Sequence, residues 1–362
     1  MMAFLIQALV LLRTVWAVGL ALLVGSILIA AVGVDPIAAY AALFGGAFLD
    51  YWGLASTLVK TSPILLAALA VVVPLRAGLF NIGGEGQIYL GALFATAAAL
   101  YLPELPGPAH IGVCALAGMA GGALWALFPG YLKAYHGINE VIVTLLMNYI
   151  AINLVSYLVS GPMMEEGAPY PYSPEIGPHL FLPLLLPRSD AHIGAAIGLV
   201  TALGLFAAFR ATSFGFALDT VGRSPGAARY AGIAVRRQML MAMALGGALA
   251  GLAGTFEILG LKYRLFHLFS AGYGFDGIVV AFMAAANPIL APLAALFLGG
   301  LKAGAQIMQR AVGVESTVVD AIQGLVVIFV AAGLALRFQD SQLGAALRRR
   351  RQAEAVLARP EA

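Results

Sequence analysis

Arg76, Asn81, Glu85 and Gln87 put a cation, a carboxylate and two amides into twelve residues, with apolar sequence on both sides. The segment reads RAGLFNIGGEGQIYLGA from Arg76 to Ala92, so Gly83, Gly84 and Gly86 stand among the polar positions. Polar groups in apolar surroundings are costly unless a partner, a cavity or water meets them. Glycines let the chain leave a helix there and present its backbone groups. The expected arrangement is a broken helix in which Asn81, Gly83, Gly84, Glu85 and Gln87 line a path for a polar solute. The alternative is a purely structural ion pair between Arg76 and Glu85.

A second polar set follows in HGINEVIVTLLMNYIAIN, residues 136–153, with Asn139, Asn148 and Asn153 on or beside one apolar stretch. Asn148 either faces the same path or bonds a neighbouring helix, as buried amides often do. Glu257 and Asp276 fall near the ends of apolar stretches, where solvated surface and solute contact are equal readings. His136 has Glu140 four residues on but no third ligand in its segment, so metal is not expected.

Enzymatic motifs fail on chemical grounds. GRSPG at 222–226 fits G-x-S-x-G, but Pro225 follows Ser224 and has no N–H for an oxyanion hole. GYGFDG at 272–277 fits G-x-G-x-x-G without the strand and βαβ frame of a dinucleotide site. No GK[ST] occurs, so the chain has no Walker A motif, and HExxH is absent. Cys114 is the single cysteine and lies in an apolar run, which excludes an internal disulfide and any cysteine metal cluster.

The elements that must position these residues are membrane helices. The 362 residues are 62% hydrophobic and 10% charged, with a mean hydropathy of +0.94. Soluble domains carry about 25% charge, so lipid must cover this surface. The 43 glycines suit close helix packing, with GxxxG at Gly118/Gly122, Gly247/Gly251 and Gly300/Gly304. Ten stretches qualify as crossings: about 14–34, 57–75, 86–102, 109–131, 139–161, 191–209, 239–258, 271–286, 289–309 and 317–336. The first is uncharged over 21 residues, longer than a signal-peptide core. The expected fold is all-α and polytopic, one transmembrane domain over 1–362, with spans and loops at 10–340 and a basic tail at 341–362. Five crossings per half would invert one half relative to the other. NIGGEGQ at 81–87 and AGYGFDG at 271–277 then fall at matching breaks.

Short-loop Lys and Arg place both termini, Lys133, the 210–237 loop, Arg337 and the Arg run at 348–351 in the cytoplasm. Residues 161–190, with seven prolines and the pair Glu165–Glu166, then lie outside as an ordered flap or docking surface. The net charge of +3 reflects basic cytoplasmic ends, which face anionic lipid or hold the tail inside, not nucleic-acid binding. The 210–237 loop carries five of the twenty Lys and Arg residues. Within it, Ser224 suits an N-cap, Pro225 the first helical position and Gly232 the far end. A helix of about two turns bearing Arg229 and Tyr230 is expected across the membrane surface.

GLFNIGGEGQIYLGA, GINEVIVTLLMNYIA and GRSPGAARYAGI together resemble permease subunits of bacterial ABC importers, over about residues 10–340. The broad group serves ribose-type sugars and branched-chain amino acids. The branch associated with nucleosides and basic membrane lipoprotein receptors is the nearer likeness. The resemblance implies a location in the bacterial plasma membrane and a path between two permeases, the second a copy or a paralogue. It also implies a cytoplasmic ATPase that uses the ATP and an outer substrate-binding lipoprotein. No cofactor is implied on this chain. Gly222, Arg223, Pro225, Ala228, Arg229 and Gly232 would belong to the helix that engages the ATPase. Asn81, Gly83, Gly84, Glu85, Gln87 and Asn148 would lie on the central path. Many relatives have Asn where Ser224 stands, and either residue can cap. The rivals are a permease for a sugar or another heterocycle, and an ion-coupled carrier using Glu85.

Overall fold

The computed structural model describes residues 2–103, 105–315, 317–326 and 328–329, with the backbone alone for 2–15. Arg337 and the basic tail at 341–362 lie outside the described residues. Among them every regular element is helical, and the extended pairings are two isolated bridges, Tyr172 with Phe266 and Leu184 with His192. The helices are α1 (Met2–Ala31), α2 (Pro36–Phe48), α3 (Tyr51–Arg76), α4 (Gly84–Tyr101), α5 (Gly107–His136) and α6 (Glu140–Val159). Then come α7 (Gly194–Ala211), α8 (Ser213–Arg223), α9 (Pro225–Tyr230), α10 (Val235–Glu257), α11 (Tyr273–Met283) and α12 (Ala291–Val312). A π-helical turn, Ile258–Lys262, extends α10.

Six of these are long and apolar enough to cross a membrane: α3, α5, α6, α7, α10 with its π turn, and α12. A seventh arises if the broken pair Trp16–Ala31 and Pro36–Phe48 counts as one. The expected stretch 271–286 becomes α11, whose 11 residues reach only about 17 Å against a hydrocarbon core of about 30 Å. The stretch 86–102 becomes α4, 18 residues long. The last expected stretch opens as the helix Thr317–Val326 and runs beyond the described residues. Asn287-Pro288 does separate α11 from α12, where Ala285 and Ala286 take left-handed backbone at φ 49° and 55°.

The chain divides into two compact units. One joins the described residues up to 39 with those between 314 and 329. In it, Val319, Ile322 and Val326 are buried at the spacing of one helix face. The other, Tyr40–Gly313, holds everything below.

In this larger unit α3 is the axis, with Thr61–Pro74 buried without interruption. A helix apolar on all sides is a core helix, and each neighbour reaches it through a residue that lacks a Cβ. Gly198 of α7 lies against Leu65, Gly246 of α10 against Ala70 and Pro74, Gly277 of α11 against Ala67, and Gly299 of α12 against Thr57 and Thr61. The GxxxG stripes meet one another: Gly118 and Gly122 of α5 face Gly251 and Gly247 of α10, backbone to backbone. Gly300 and Gly304 of α12 instead seat Phe48 and Leu43 of α2. The outward faces of α5 and α6 stay apolar and uncovered, with Leu116, Leu124, Phe128, Leu146, Ile150 and Tyr157 exposed. Apolar solvent, or another apolar protein surface, suits such faces.

The proline-rich stretch 161–190 is an ordered flap. Its backbone bonds the segment after α10: Ser173 N to Leu265 O at 2.8 Å, Ile176 N to Tyr263 O at 2.9 Å and Leu182 N to Leu259 O at 3.0 Å. Arg264 adds bonds to Glu175 at 2.7 Å and Glu165 at 3.4 Å, and stacks 4.7 Å from the Tyr172 ring centre. Glu175 holds the Arg264 guanidinium above its usual pKa.

Candidate functional site

The chain breaks between α3 and α4 for local reasons. Gly78 takes φ 75° after the last turn of α3, a backbone shape that costs Gly little. Residues 80–83 then run outside any helix before α4 opens at Gly84. The freed backbone groups need partners, because neither lipid nor a helix supplies them. One face of α6 supplies several. Glu140, Thr144 and Asn148 stand four residues apart and point at the break. Glu140 accepts from Phe80 N at 3.3 Å, Thr144 Oγ1 from Ile82 N at 3.3 Å, and Asn148 Oδ1 from Gly86 N at 2.8 Å. Asn148 Nδ2 also donates to Ile82 O at 2.9 Å. Asn81 and Gln87 bond reciprocally at 3.0 and 3.1 Å, and Asn81 Oδ1 accepts from Gly83 N at 3.0 Å. Asn81, Glu85, Gln87, Thr144 and Asn148 are all buried.

The two glycine-rich breaks, 189 residues apart in sequence, meet here: the Glu85 carboxylate accepts from Gly274 N at 2.7 Å. Gly274 sits in the first turn of α11, so Glu85 caps that helix with a carboxyl oxygen at its positive end. Gly274 packs so closely on the backbone of Gly84 and Glu85 that a Cβ would collide with both. The site is thus a junction of two helix N-termini, sealed by amides, the Thr144 hydroxyl and the carboxylates of Glu85 and Glu140. The alternative Arg76–Glu85 pair is corrected: the Arg76 side chain turns to α8 instead.

There Arg76 Nη1 bonds both oxygens of Asp219 on α8 at 3.0 and 3.1 Å. Its guanidinium also lies 4.6 Å from the Phe209 ring centre at the end of α7. Gly222, at the end of α8, rests on the backbone of Arg76 and Gly78 with no room for a side chain. The expected short helix follows as α9. Ser224 Oγ accepts from Ala227 N at 3.2 Å, Pro225 opens the helix and Gly232 turns at φ 75°. Arg223, Arg229 and Tyr230 are exposed, Tyr230 at 97%. Ala228 is buried against Val221 and Val235, so it seats α9 on the bundle. The helical loop segment therefore hangs directly from the last turn of α3, which leads into the break.

The sequence reading missed α8, although Thr212 as cap and Ala217, Leu218 and Val221 at helical spacing signal it. It also missed Glu140 and Thr144 as partners of the break, although their spacing to Asn148 was readable. Glu140 pairs with Lys133 at 2.8 Å, not with His136. Asp276 pairs with Lys302 at 2.6 Å. Glu257, the last residue of α10, is buried rather than solvated.

Residues 53–331 match the family described as branched-chain amino acid transport system / permease component. The glucose ABC transporter permease protein TsgB13 of Haloferax volcanii is 37% identical over 86% of this chain and 84% of its own length. The guanosine ABC transporter permease protein NupP of Bacillus subtilis is 36% identical over 90% and 94%. The nucleoside ABC transporter permease protein NupB of Lactococcus lactis is 30% identical over 85% and 87%. No solved structure matches the chain. With a match over most of its length and relatives covered nearly end to end, the chain belongs to the branched-chain amino acid transport system / permease component family.

Proposed function

We propose that this chain is the membrane-spanning permease of an ABC importer that carries nucleosides or related nucleobase compounds inward. The observation that carries the substrate is the likeness to the Bacillus guanosine permease across 94% of that protein's length. The geometry supports a mechanism without covalent chemistry on this chain. A cytoplasmic ATPase receives α9 through Arg229 and Tyr230. Closure of the ATPase dimer pushes α9 and α8, and Asp219 and Gly222 pass the motion to Arg76 and Gly78. The junction of α4, α6 and α11 then shifts as a rigid piece, opening a path beside Asn81, Gly83, Gly84, Glu85, Gln87 and Asn148. A second permease, a copy or a paralogue, completes the path across the apolar faces. An outer lipoprotein delivers the solute, and the flap at 161–190 is its dock. We read ten crossings in two inverted halves, with both termini cytoplasmic. The meeting of the two broken segments supports that pseudo-symmetry.

A second reading, import of a simple sugar, is favoured by the likeness to the Haloferax glucose permease. Proteoliposomes holding this chain with its ATPase and receptor separate the two. ATP-dependent uptake of labelled guanosine, uncompeted by excess glucose, is expected. Uptake of glucose alone replaces the first reading by the second. Robust uptake in vesicles without any ATPase overturns both.

A further inference from the structure

We propose that a pocket at the N-terminal end of α3 binds a small organic anion that carries a flat ring. The pocket measures about 410 Å³ and is lined by Trp52, Lys60, Arg188, Asp190, Lys262 and Tyr273, among others. That volume lies in the range of small-molecule sites. Lys60 to Arg76 is sixteen residues, about 24 Å along α3, so the pocket is far from the α8–α9 segment, whereas its Tyr273 wall adjoins Gly274, which Glu85 caps.

The charge balance selects the ligand. Among the described residues, Lys60, Arg188 and Lys262 form no ion pair, whereas Arg76, Lys133, Arg264 and Lys302 each do. Glu257 lies buried behind the wall, within the field of Lys60 and Lys262. Counting it with Asp190 on the rim, cations still exceed acids by three to two. Cations of one sign in a cleft with low-dielectric walls focus their field and draw an anion in. Trp52 and Tyr273 add aromatic surface for a flat ring, and Ser56 and Ser189 add hydroxyls. Arg188 holds a left-handed backbone at φ 58°, a shape that non-glycine residues rarely keep. A phosphate monoester meets all three cations best, because Arg and Lys favour such oxygens. Its source is either a solute or a lipid headgroup. The aromatic wall favours the solute.

The test uses the full chain in phosphatidylcholine nanodiscs, with Trp16→Phe and Trp125→Phe leaving Trp52 as reporter. Guanosine 5′-monophosphate should quench Trp52 with an affinity about tenfold or more above that of guanosine, and added salt should weaken it. Lys60→Gln and Arg188→Gln should each weaken the nucleotide about tenfold and leave guanosine within about twofold. Arg188 is exposed, so its replacement spares the packing if Lys60→Gln fails to fold. Equal affinities for nucleotide and nucleoside, or an unchanged nucleotide affinity in Arg188→Gln, overturn the proposal. Nucleotide binding that persists in phosphatidylglycerol nanodiscs supports a solute site. Its loss there assigns the pocket to lipid headgroups and overturns the solute. The titration needs neither ATPase nor receptor, so its failure and the failure of the import reading are separate events.

Discussion

Asn148 uses both ends of one amide on the backbone of the break, accepting from Gly86 N and donating to Ile82 O. Asn148→Leu leaves a buried donor and a buried acceptor without partners, each costing about 1–3 kcal/mol. Its thermal midpoint should fall by several degrees and its uptake should be lost. Asn153→Leu is the control: that side chain is exposed and bonds only Tyr149 O of its own helix. Equal midpoints for the two variants would remove the capping role from Asn148. Glu85 is the second residue at issue. Glu85→Gln keeps an acceptor for Gly274 N, so an ATP-driven permease should retain part of its uptake. Glu85→Ala removes the cap on α11 at a cost of about 1 kcal/mol and should lose more. A carrier coupled to an ion through Glu85 would lose coupling in both, and ATP-dependent uptake by Glu85→Gln would exclude it.

Between α3 and α8, the Arg76–Asp219 bond is half exposed, with side-chain exposures of 27% and 36%. A pair so open to solvent contributes at most about 1 kcal/mol to stability. Its value here is positional. Arg76→Gln and Asp219→Asn should each lower substrate-stimulated ATP hydrolysis several-fold with little change in melting. The double variant should be no worse than Arg76→Gln alone, since one link is removed once. Strictly additive losses would show that the bond does not carry the motion. On α9, Tyr230 is exposed at 97%. Tyr230→Ala should change stability by less than about 0.5 kcal/mol and weaken capture of the ATPase. Arg229→Glu should do the same by reversing charge. Ala228→Trp is a different experiment, because Ala228 is buried and bulk there unseats α9. Unaltered ATPase capture by both surface variants would move the dock elsewhere.

As a whole this is a multi-pass membrane protein, and its sidedness can be read chemically. Cys114 is buried and is the single cysteine, so Cys114→Ala gives a clean background. A cysteine at 166, in the flap, should react with an impermeant maleimide in intact cells. One at 224 should react only after permeabilisation. Labelling of position 224 in intact cells reverses the orientation.

The sequence alone determined whatever depends on neighbours within a turn or two. Composition required lipid around the fold. Ser224, Pro225 and Gly232 marked α9 because capping and turn chemistry act over three or four residues. Gly83, Gly84 and Gly86 marked the break for the same local reason. Charge bias could rank the loops but could not pair them. Tertiary structure decided what crosses long stretches of chain. Glu85 finds Gly274, Asn148 finds Ile82 and Gly86, and Arg76 finds Asp219 rather than Glu85. Those partners depend on which glycine faces let α10, α11 and α6 approach α3 and α4, and helical periodicity cannot specify a neighbour on a helix buried all round. The same limit explains why Thr144 and Glu140 stayed hidden as partners of the break. Their spacing was visible, but the unpaired backbone they satisfy belongs to a segment some sixty residues earlier, brought there only by packing.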